Sequence, residues 1–338
     1  MSFTVAHVSG DHRKMGRAYG EICAPSIQRS VDFYESLTRR HRTSIAGSAS
    51  RLGPHIDAAR RRLPELVEEL EGLAEGAGID GEAAWMLNSF EELWDVEACT
   101  TMAHGHLFMH AEQWYAEHSD IALVVAVPDI GPSFLSPTCA GFLPAVGLNV
   151  SGFAQGIDSL VATDDRPGVP RCLVARHALG AAGMDAALRA TVVDERAGGY
   201  AHFFSSVPRT VVVETSATSS EVLEAQAHTN HHQARWLQHG ANAPSPGSLE
   251  RLVRACELLA EWPPTSLEDC ARLLSDHRGE PEAICMHERG FEGSGTVFGF
   301  ACDLRTGRCM ISDGPPCEGR WHELELPGYV PQDHRHVG

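Results

Sequence analysis

The stretch Glu97-Ala98-Cys99-Thr100-Thr101 separates two parts of the chain that have different sequence patterns. Before it, as in a helix predicted between Leu52 and Glu75, apolar residues recur at the spacing of amphipathic helices. After it, runs such as Ile121 to Val127 are short and rich in β-branched residues, as buried strands are. The order of helices, strands, helices and strands predicts an α+β fold in which two sheets are layered between helices. We therefore predict a helical region at residues 1–98 and a sheet-rich body at residues 99–338.

Composition and charge argue against several functional classes. The chain has 338 residues, 43% hydrophobic and 21% charged, which is typical of a globular protein with a large core. Its 45 acidic and 27 basic residues give a net charge of -18, so neither nucleic acid nor a membrane surface is an expected partner. The segment Met1 to His7 lacks the features of a secretory signal. We expect a cytoplasmic protein whose 10 cysteines are free thiols.

Cys99 is the candidate nucleophile, because a cut between Ala98 and Cys99 would place a thiol and an α-amine on one residue. An α-amine has a pKa of about 7.7 to 8, so at neutral pH it can take the proton of the thiol. The same thiol could make the cut by attacking the Ala98 carbonyl, giving a thioester that water hydrolyses. Taken alone, however, Cys99-Thr100-Thr101 is more typical of a buried structural cysteine at the start of a strand.

Other short motifs occur in a fixed order around this triplet. They are Gly16, Gly20, Gly72-Leu73-Ala74-Glu75-Gly76-Ala77, Met86-Leu87-Asn88 with Glu91, Asn149-Val150-Ser151-Gly152, His228-Thr229-Asn230-His231 and Ala283-Ile284-Cys285. Over most of the chain, this pattern resembles the acyl-coenzyme A:isopenicillin N acyltransferase family. That family also includes β-alanyl amide hydrolases, and its members are N-terminal nucleophile enzymes. The resemblance implies a four-layer αββα sandwich in which residues 1–98 form a helical pro-region.

The resemblance also implies roles for single residues. Cys99 is the nucleophile, exposed by self-cleavage after Ala98. Asn230 is the oxyanion residue, whose side-chain amide donates a hydrogen bond to the tetrahedral intermediate. The alternative is a turn asparagine that satisfies its own backbone. Histidines on both sides of Asn230 and a strand before it favour the functional role. We add Gln113 and Thr101 to the predicted catalytic group.

Three positions depart from the pattern of the family. Its members usually have Asn-Trp-Asp where this chain has Gln113-Trp114-Tyr115, so the carboxylate that steadies the new α-amine is missing. Gly156 stands where the family often has an asparagine, which leaves a backbone N–H as the donor. Met286 replaces an arginine, so His287 or Arg289 would have to supply the cation. Either the substrate differs or the chemistry has been lost.

The predicted reaction is attack of the Cys99 thiolate on an amide or thioester, followed by release of the acyl group to water or to an amine. The partner is a small-molecule amide or acyl donor, bound by Trp114, Tyr115, Phe153, Gly156 and His287. Hydrolysis is favoured over transfer, since nothing marks a coenzyme A site, and no cofactor is expected. The habits of the family suggest specialised metabolism. The alternative is an uncleaved descendant that binds small molecules or a partner protein.

A metal enzyme is a further alternative. His104, His106 and His110 are placed by their parity on one face of a strand, and His228, His231 and His232 also cluster in the sequence. Such groups can bind zinc. The chain has 19 histidines and no HExxH or paired CxxC motif, so we expect no metal site.

Overall fold

The computed structural model describes residues 3–94, 99–116, 119–207, 209–241, 243–287, 290 and 292–330. The helices are α1 His12–Arg40, α2 Ile45–Ala49, α3 Gly53–Arg62, α4 Pro64–Ala77, α5 Gly81–Asn88, α6 Arg171–Leu179, α7 Met184–Ala190, α8 Pro246–Glu261 and α9 Leu267–Leu274. The strands are β1 Phe3–Gly10, β2 Cys99–His104, β3 Leu107–Tyr115, β4 Ile121–Pro128, β5 Phe134–Cys139, β6 Gly147–Asn149, β7 Phe153–Leu160, β8 Gly199–Ser206, β9 Thr210–Thr215, β10 Ser220–Leu223, β11 Ala227–His228, β12 Ser294–Asp303, β13 Arg308–Ser312 and β14 Trp321–Glu325.

The strands form two sheets. The larger has eight strands in the order β1-β4-β5-β6-β7-β8-β9-β10, and the smaller has six in the order β11-β2-β3-β12-β13-β14. Strand β1 pairs with β4 in parallel, and the other neighbours are antiparallel. Strands β2 and β3 form a hairpin whose turn is Gly105-His106, with Gly105 at a φ of 60°. Strand β2 is second from the edge of the smaller sheet, and its first residue, Cys99, pairs with β3.

Alternation along the strands builds four layers. In β4, Leu123 and Val125 point into the core between the two sheets, where they join aromatic residues such as Phe300 of β12. The intervening Ala122 and Val124 pack instead against the helices of the N-terminal region. On the other side, the smaller sheet packs against α8 and α9. The layers are therefore helices, sheet, sheet and helices.

Helices α1 and α4 lie backbone to backbone. A Cβ atom on Gly16 would come within 1.9 Å of the Glu69 carbonyl oxygen, and one on Gly72 would come within 2.2 Å of the Arg13 carbonyl oxygen. Glycine is needed at these positions because a larger residue would push the two helices apart. These glycines belong to the motifs that carry the family resemblance.

The N-terminal region differs from the predicted pattern in one helix. The helix expected between Leu52 and Glu75 is two helices, since Pro64 has no backbone N–H and begins α4, while Leu63 has non-helical angles. Residues 1–98 also supply β1, which lies at the edge of the larger sheet. The proposed division of the chain at Cys99 stays a prediction. Among the described residues, no helix combines the length and the hydrophobicity needed to cross a bilayer.

Candidate active site

Cys99 is the first residue of β2 and lies between the two sheets. The register of the β2–β3 hairpin places Glu112 directly opposite Cys99. The Cys99 Sγ atom lies 3.9 Å from Glu112 Oε1, and Cys99 is 4% exposed. Ala98, the other side of the predicted cut, lies outside the described residues. The candidate nucleophile is thus a buried thiol beside a carboxylate.

The surroundings of the thiol favour its protonated form. Burial raises the pKa of Cys99 well above its ordinary value, and the nearby Glu112 and Asp158 carboxylates raise it further. The backbone N–H of Gln113 opposes this shift of the pKa through a hydrogen bond to the sulfur. Because the thiolate is the reactive form, the site needs a base that takes the proton of the thiol.

A chain of polar side chains leads away from the thiol. Glu112 Oε2 lies 3.0 Å from His110 Nε2, and His110 Nδ1 lies 2.8 Å from Thr101 Oγ1. The Thr101 hydroxyl lies 3.1 Å from Asp158 Oδ1 of β7, across the gap between the sheets. Residues two apart in a strand share a face, so the side chains of Cys99 and Thr101 both point toward this series of polar side chains.

Beyond Asp158, this series of polar side chains ends at His228, a buried charged residue. His228 Nδ1 lies 3.5 Å from Asp158 Oδ2, and His228 Nε2 lies 2.9 Å from Glu214 Oε1. Burial alone would lower the pKa of His228, but the nearby Asp158 and Glu214 carboxyl groups raise it to about 9. Burial alone would raise the pKa of Glu214, but hydrogen bonds from His228 and His232 lower it to about 2. A positively charged His228 therefore lies between two carboxyl groups.

Asn230 lies against the backbone of Cys99. Its Oδ1 accepts a hydrogen bond from the Cys99 backbone nitrogen at 2.9 Å and another from Arg251 Nη2 at 2.7 Å. Its Nδ2 donates to the Ser159 carbonyl oxygen at 3.2 Å. The structure thus brings the predicted pair Cys99 and Asn230 together, with the Asn230 side chain contacting the nitrogen of Cys99.

A mostly apolar cavity adjoins this site. It is lined by Leu87, Asn88, Ser89, Phe90, Glu91, Glu92, Glu112, Trp114, Pro137, Thr138, Cys139, Phe142, Leu143, Ala145, Val146, Ile157, Arg171, Cys172 and Tyr200. Glu112 thus lies beside the thiol and is also part of the cavity wall. Burial raises the pKa of Glu91 to about 7, and its carboxyl group accepts hydrogen bonds from the Ser159 and Tyr200 hydroxyls. The cavity offers an apolar space with carboxyl groups at its edge.

The three residues of the altered family motif lie in different surroundings. The Gln113 amide donates to the backbone carbonyls of Ala283 and Ile284 at 3.1 and 2.9 Å, so its side chain faces away from Cys99. Trp114 lines the cavity. Tyr115 packs in an aromatic cluster and is not a lining residue. Of the three, Trp114 is the one that can contact a bound molecule there.

The other predicted binding residues lie away from the cavity wall. Phe153 packs against α6 and α7 on the outer face of the larger sheet, so its predicted place in the acyl pocket is wrong. A Cβ atom on Gly156 would lie 2.7 Å from Thr101 Cγ2, which shows that the two sheets approach closely there. His287 is not a lining residue and lies 3.6 Å from Cys285 Sγ. Arg289 is outside the described residues.

The sequence pattern gave no role in this site to four acidic or basic residues: Glu91, Glu112, His110 and Asp158. The signal for Glu112 was present, since a two-residue turn at Gly105-His106 fixes which residue of β3 faces Cys99. Glu91 appeared in a family motif without a role. Asp158 reaches the site from the other sheet, and no local pattern predicts that contact.

The histidines of the metal-enzyme alternative lie at separate places in the fold. His104 ends β2 and His106 lies in the turn, while His110 belongs to β3, so they do not share one strand. In the second group, His228 and His232 both contact Glu214, and His231 Nδ1 lies 2.8 Å from Ser248 Oγ. Within the part of the chain that the structure describes, neither group gathers three ligands around one point.

The layers form the four-layer αββα sandwich predicted from the sequence, which is the fold class of N-terminal nucleophile hydrolases, and Cys99 begins the second strand of the smaller sheet. The chain belongs to the acyl-coenzyme A:6-aminopenicillanic acid acyl-transferase family, whose model matches residues 101–316. The predicted family resemblance is therefore confirmed over more than half of the chain.

Two solved structures are distantly similar. A mutant of conjugated bile acid hydrolase from Clostridium perfringens is 12% identical, with a TM-score of 0.47 over 70% of this chain and 100% of that chain. Penicillin V acylase from Agrobacterium tumefaciens is 14% identical, with a TM-score of 0.47 over 68% of this chain and 86% of that chain.

Proposed function

We propose that this protein hydrolyses a small N-acyl or aminoacyl amide, or transfers its acyl group, through an acyl-enzyme on Cys99. The observation that carries the proposal is the arrangement at Cys99, where Asn230 contacts the backbone nitrogen, Glu112 lies beside the thiol and Glu112 also lines the cavity. Membership of an acyltransferase family supports the same chemistry.

In the proposed reaction, the thiol proton passes to a base and the thiolate sulfur attacks the carbonyl carbon of the substrate. The tetrahedral intermediate then breaks its C–N bond, and the leaving amine takes a proton. Water, or an amine, attacks the resulting thioester and releases Cys99. A thioester splits one difficult amide cleavage into two easier steps.

We propose two bases for the thiol proton, one before and one after cleavage at Ala98-Cys99. In the uncut chain the Cys99 nitrogen is an amide, so Glu112 is the base, supported by its 3.0 Å contact with His110. After cleavage the α-amine takes over. The Arg251 guanidinium, 2.7 Å from Asn230 Oδ1, would then favour the neutral amine, which is the form that accepts a proton.

Glu112 can also replace the carboxylate that the family motif has at the position of Tyr115. Tyr115 cannot be ionised at neutral pH, since burial raises its pKa to about 12. We propose that Glu112, from the same strand, does the work of the family acid. No replacement is needed at Met286 if the substrate has no anionic group, which suits the mostly apolar cavity.

The substrate is proposed from the chemistry of the cavity. Trp114 offers an aromatic wall for an apolar acyl group, and Glu91 can exchange a proton near neutral pH because burial raises its pKa to about 7. The family is named for transfer to 6-aminopenicillanic acid, which supports a role in specialised metabolism. We place the reaction in the cytoplasm, since all of the cysteines are free thiols.

The test is the intact mass of the wild-type chain beside Cys99→Ala and Cys256→Ser variants. Cys256 is an exposed cysteine of α8 and serves as the control. We expect wild type and the control to give two fragments, the smaller ending at Ala98, and Cys99→Ala to stay whole. Incubation with p-nitrophenyl acetate should then place an acetyl group on Cys99 in wild type and in the control.

Two results separate the alternatives. A wild-type chain that stays whole yet is acetylated at Cys99 would identify an uncut enzyme that uses Glu112 as its base. A whole chain with no acyl group on Cys99 would refute the enzymatic proposal and favour the descendant that binds small molecules or a partner protein.

A further inference from the structure

Two cysteines and two histidines converge outside the candidate active site. His277 follows α9, Cys285 and His287 lie in the segment before β12, and Cys317 lies between β13 and β14. His277 Nε2 is 3.1 Å from His287 Nε2, and Cys285 Sγ is 3.5 Å from Cys317 Sγ. His287 Nε2 is 3.6 Å from Cys285 Sγ and 3.1 Å from Cys317 Sγ. All four ligand atoms lie within 4.8 Å of one another.

These distances match the edges of a tetrahedral zinc site. Zinc binds sulfur at about 2.3 Å and imidazole nitrogen at about 2.0 to 2.1 Å. Tetrahedral angles then separate two sulfurs by about 3.8 Å, two nitrogens by about 3.3 Å, and a sulfur and a nitrogen by about 3.6 Å. The corresponding distances here are 3.5 Å, 3.1 Å, and 3.1 and 3.6 Å. These are four of the six edges of the tetrahedron, and the two that join His277 Nε2 to the sulfur atoms are each at most 4.8 Å.

The chemistry of the ligands identifies the metal. Two thiolates and two neutral imidazoles form a tetrahedral S₂N₂ set, which is the set of structural zinc sites and disfavours hard cations such as magnesium or calcium. Two thiolates also balance the charge of a divalent ion. Four protein ligands leave no open position for water or substrate, so the site would stabilise structure and take no part in the reaction.

The backbone around the cluster is already held in place. The Cys285 backbone nitrogen donates to the Asp276 carbonyl at 2.9 Å, and the Met286 nitrogen donates to Thr296 Oγ1 at 2.8 Å. Such contacts orient ligands before a metal binds. Cys285 is fully buried and Cys317 is exposed, so an ion can enter from the surface.

We propose that His277, Cys285, His287 and Cys317 bind one zinc ion, which joins the segment before β12 to the β13–β14 connection. This site replaces the expectation that the chain has no metal site. It also explains why His287 takes no part in lining the cavity. The same segment accepts hydrogen bonds from the Gln113 side chain, so the zinc would help to hold the strand that carries Glu112.

Zinc content of the purified full-length chain tests the proposal. The protein is kept reduced, supplied with zinc chloride and then dialysed against metal-free buffer. We expect wild type to retain about one zinc ion per chain. Cys317→Ser should bind zinc at least about 100-fold more weakly, because loss of an outer-shell contact alone costs 10- to 100-fold. Cys256→Ser and Cys99→Ala should bind zinc as wild type does.

Cobalt replacement gives a readout that does not depend on a variant folding. Wild type loaded with cobalt(II) should show the intense visible absorption of a tetrahedral ion and a thiolate-to-cobalt charge-transfer band. A folded, reduced wild type that retains no zinc would overturn the proposal, as would full zinc retention by Cys317→Ser. A Cys285–Cys317 disulfide in protein purified under reducing conditions, found by intact mass, would overturn it as well.

Discussion

The charge on His228 should make the stability of this protein depend on pH. Asp158 and Glu214, acting against burial, raise the pKa of His228 from 6.5 to about 9. A base whose pKa rises on folding stabilises the folded state below its unfolded pKa, and this contribution is lost as the pH rises through the folded pKa. At about 1.36 kcal/mol per pH unit, the difference corresponds to about 3 kcal/mol, most of it lost between about pH 6 and about pH 9.

The contribution of Glu214 to stability changes with pH in the direction opposite to that of His228, and over a different pH range. Its pKa is lowered on folding from 4.5 to about 2, so its contribution is present above the unfolded value and is lost as the pH falls through about 2. Glu91, whose pKa is raised to about 7, also loses part of its contribution above about pH 6, so the share of His228 is the difference between wild type and a variant that lacks this histidine.

The assay is urea unfolding, followed by tryptophan fluorescence, at several values between about pH 6 and about pH 9. The reference variant is His228→Gln combined with Asp158→Asn, so that no unpaired buried carboxylate titrates in place of the histidine. His7→Gln, at an exposed residue of β1, is the matched control. Wild type and the control should lose about 3 kcal/mol more than the double variant across this range. Parallel loss in all three proteins would refute the assignment of a charged His228.

Three further predictions concern the site and the core. Glu112→Gln should stay uncut and should acetylate Cys99 about 10² to 10⁴ more slowly than wild type, because the uncut variant has neither the Glu112 carboxylate nor the α-amine as a base; acetylation of Glu112→Gln at the wild-type rate would contradict this. Arg176→Met should lower the free energy of unfolding by about 3 to 5 kcal/mol, since it leaves Glu69 buried without its guanidinium, and adding Glu69→Leu should restore most of the loss in urea unfolding. Gly156→Ala places a methyl group 2.7 Å from a threonine of β2 and should cost about 1 to 3 kcal/mol in the same assay.

Local rules could predict part of the site. The turn at Gly105-His106 fixes the hairpin register, which sets Glu112 opposite Cys99. The family motif points instead to Gln113, the next residue along β3. Strand alternation sends the Gln113 side chain to the other face of the sheet.

The same rule explains the error at Phe153. Phe153 and Gly156 are three residues apart in β7, so their side-chain positions lie on opposite faces of the larger sheet. Gly156 faces the smaller sheet, and Phe153 therefore faces the helices. Nearness in sequence to a motif residue was a poorer guide than parity along the strand.

Long-range contacts could not be predicted in this way. Asp158 meets Thr101 across the two sheets, at a separation of 57 residues. The proposed zinc ligands come from three segments, and Cys285 and Cys317 are 32 residues apart. Their spacing matches no short metal motif, so only the packing of β12, β13 and β14 brings them together.

Because the cut and the later turnover are proposed to use different bases, a single substitution should affect their rates to different extents. In the intact chain, the Cys99 nitrogen is an amide that donates to Asn230 and cannot accept a proton, while burial and Glu112 keep the thiol protonated. Under this proposal the intact chain is a latent form, and its first acyl transfer, which moves the Ala98 acyl group from the Cys99 nitrogen to the Cys99 sulfur, would depend on Glu112 as the base. After the proposed cut, the α-amine of Cys99 would take the proton in every later cycle. Loss of the Glu112 carboxylate should therefore slow the cut more than it slows turnover by the protein that has already been cut.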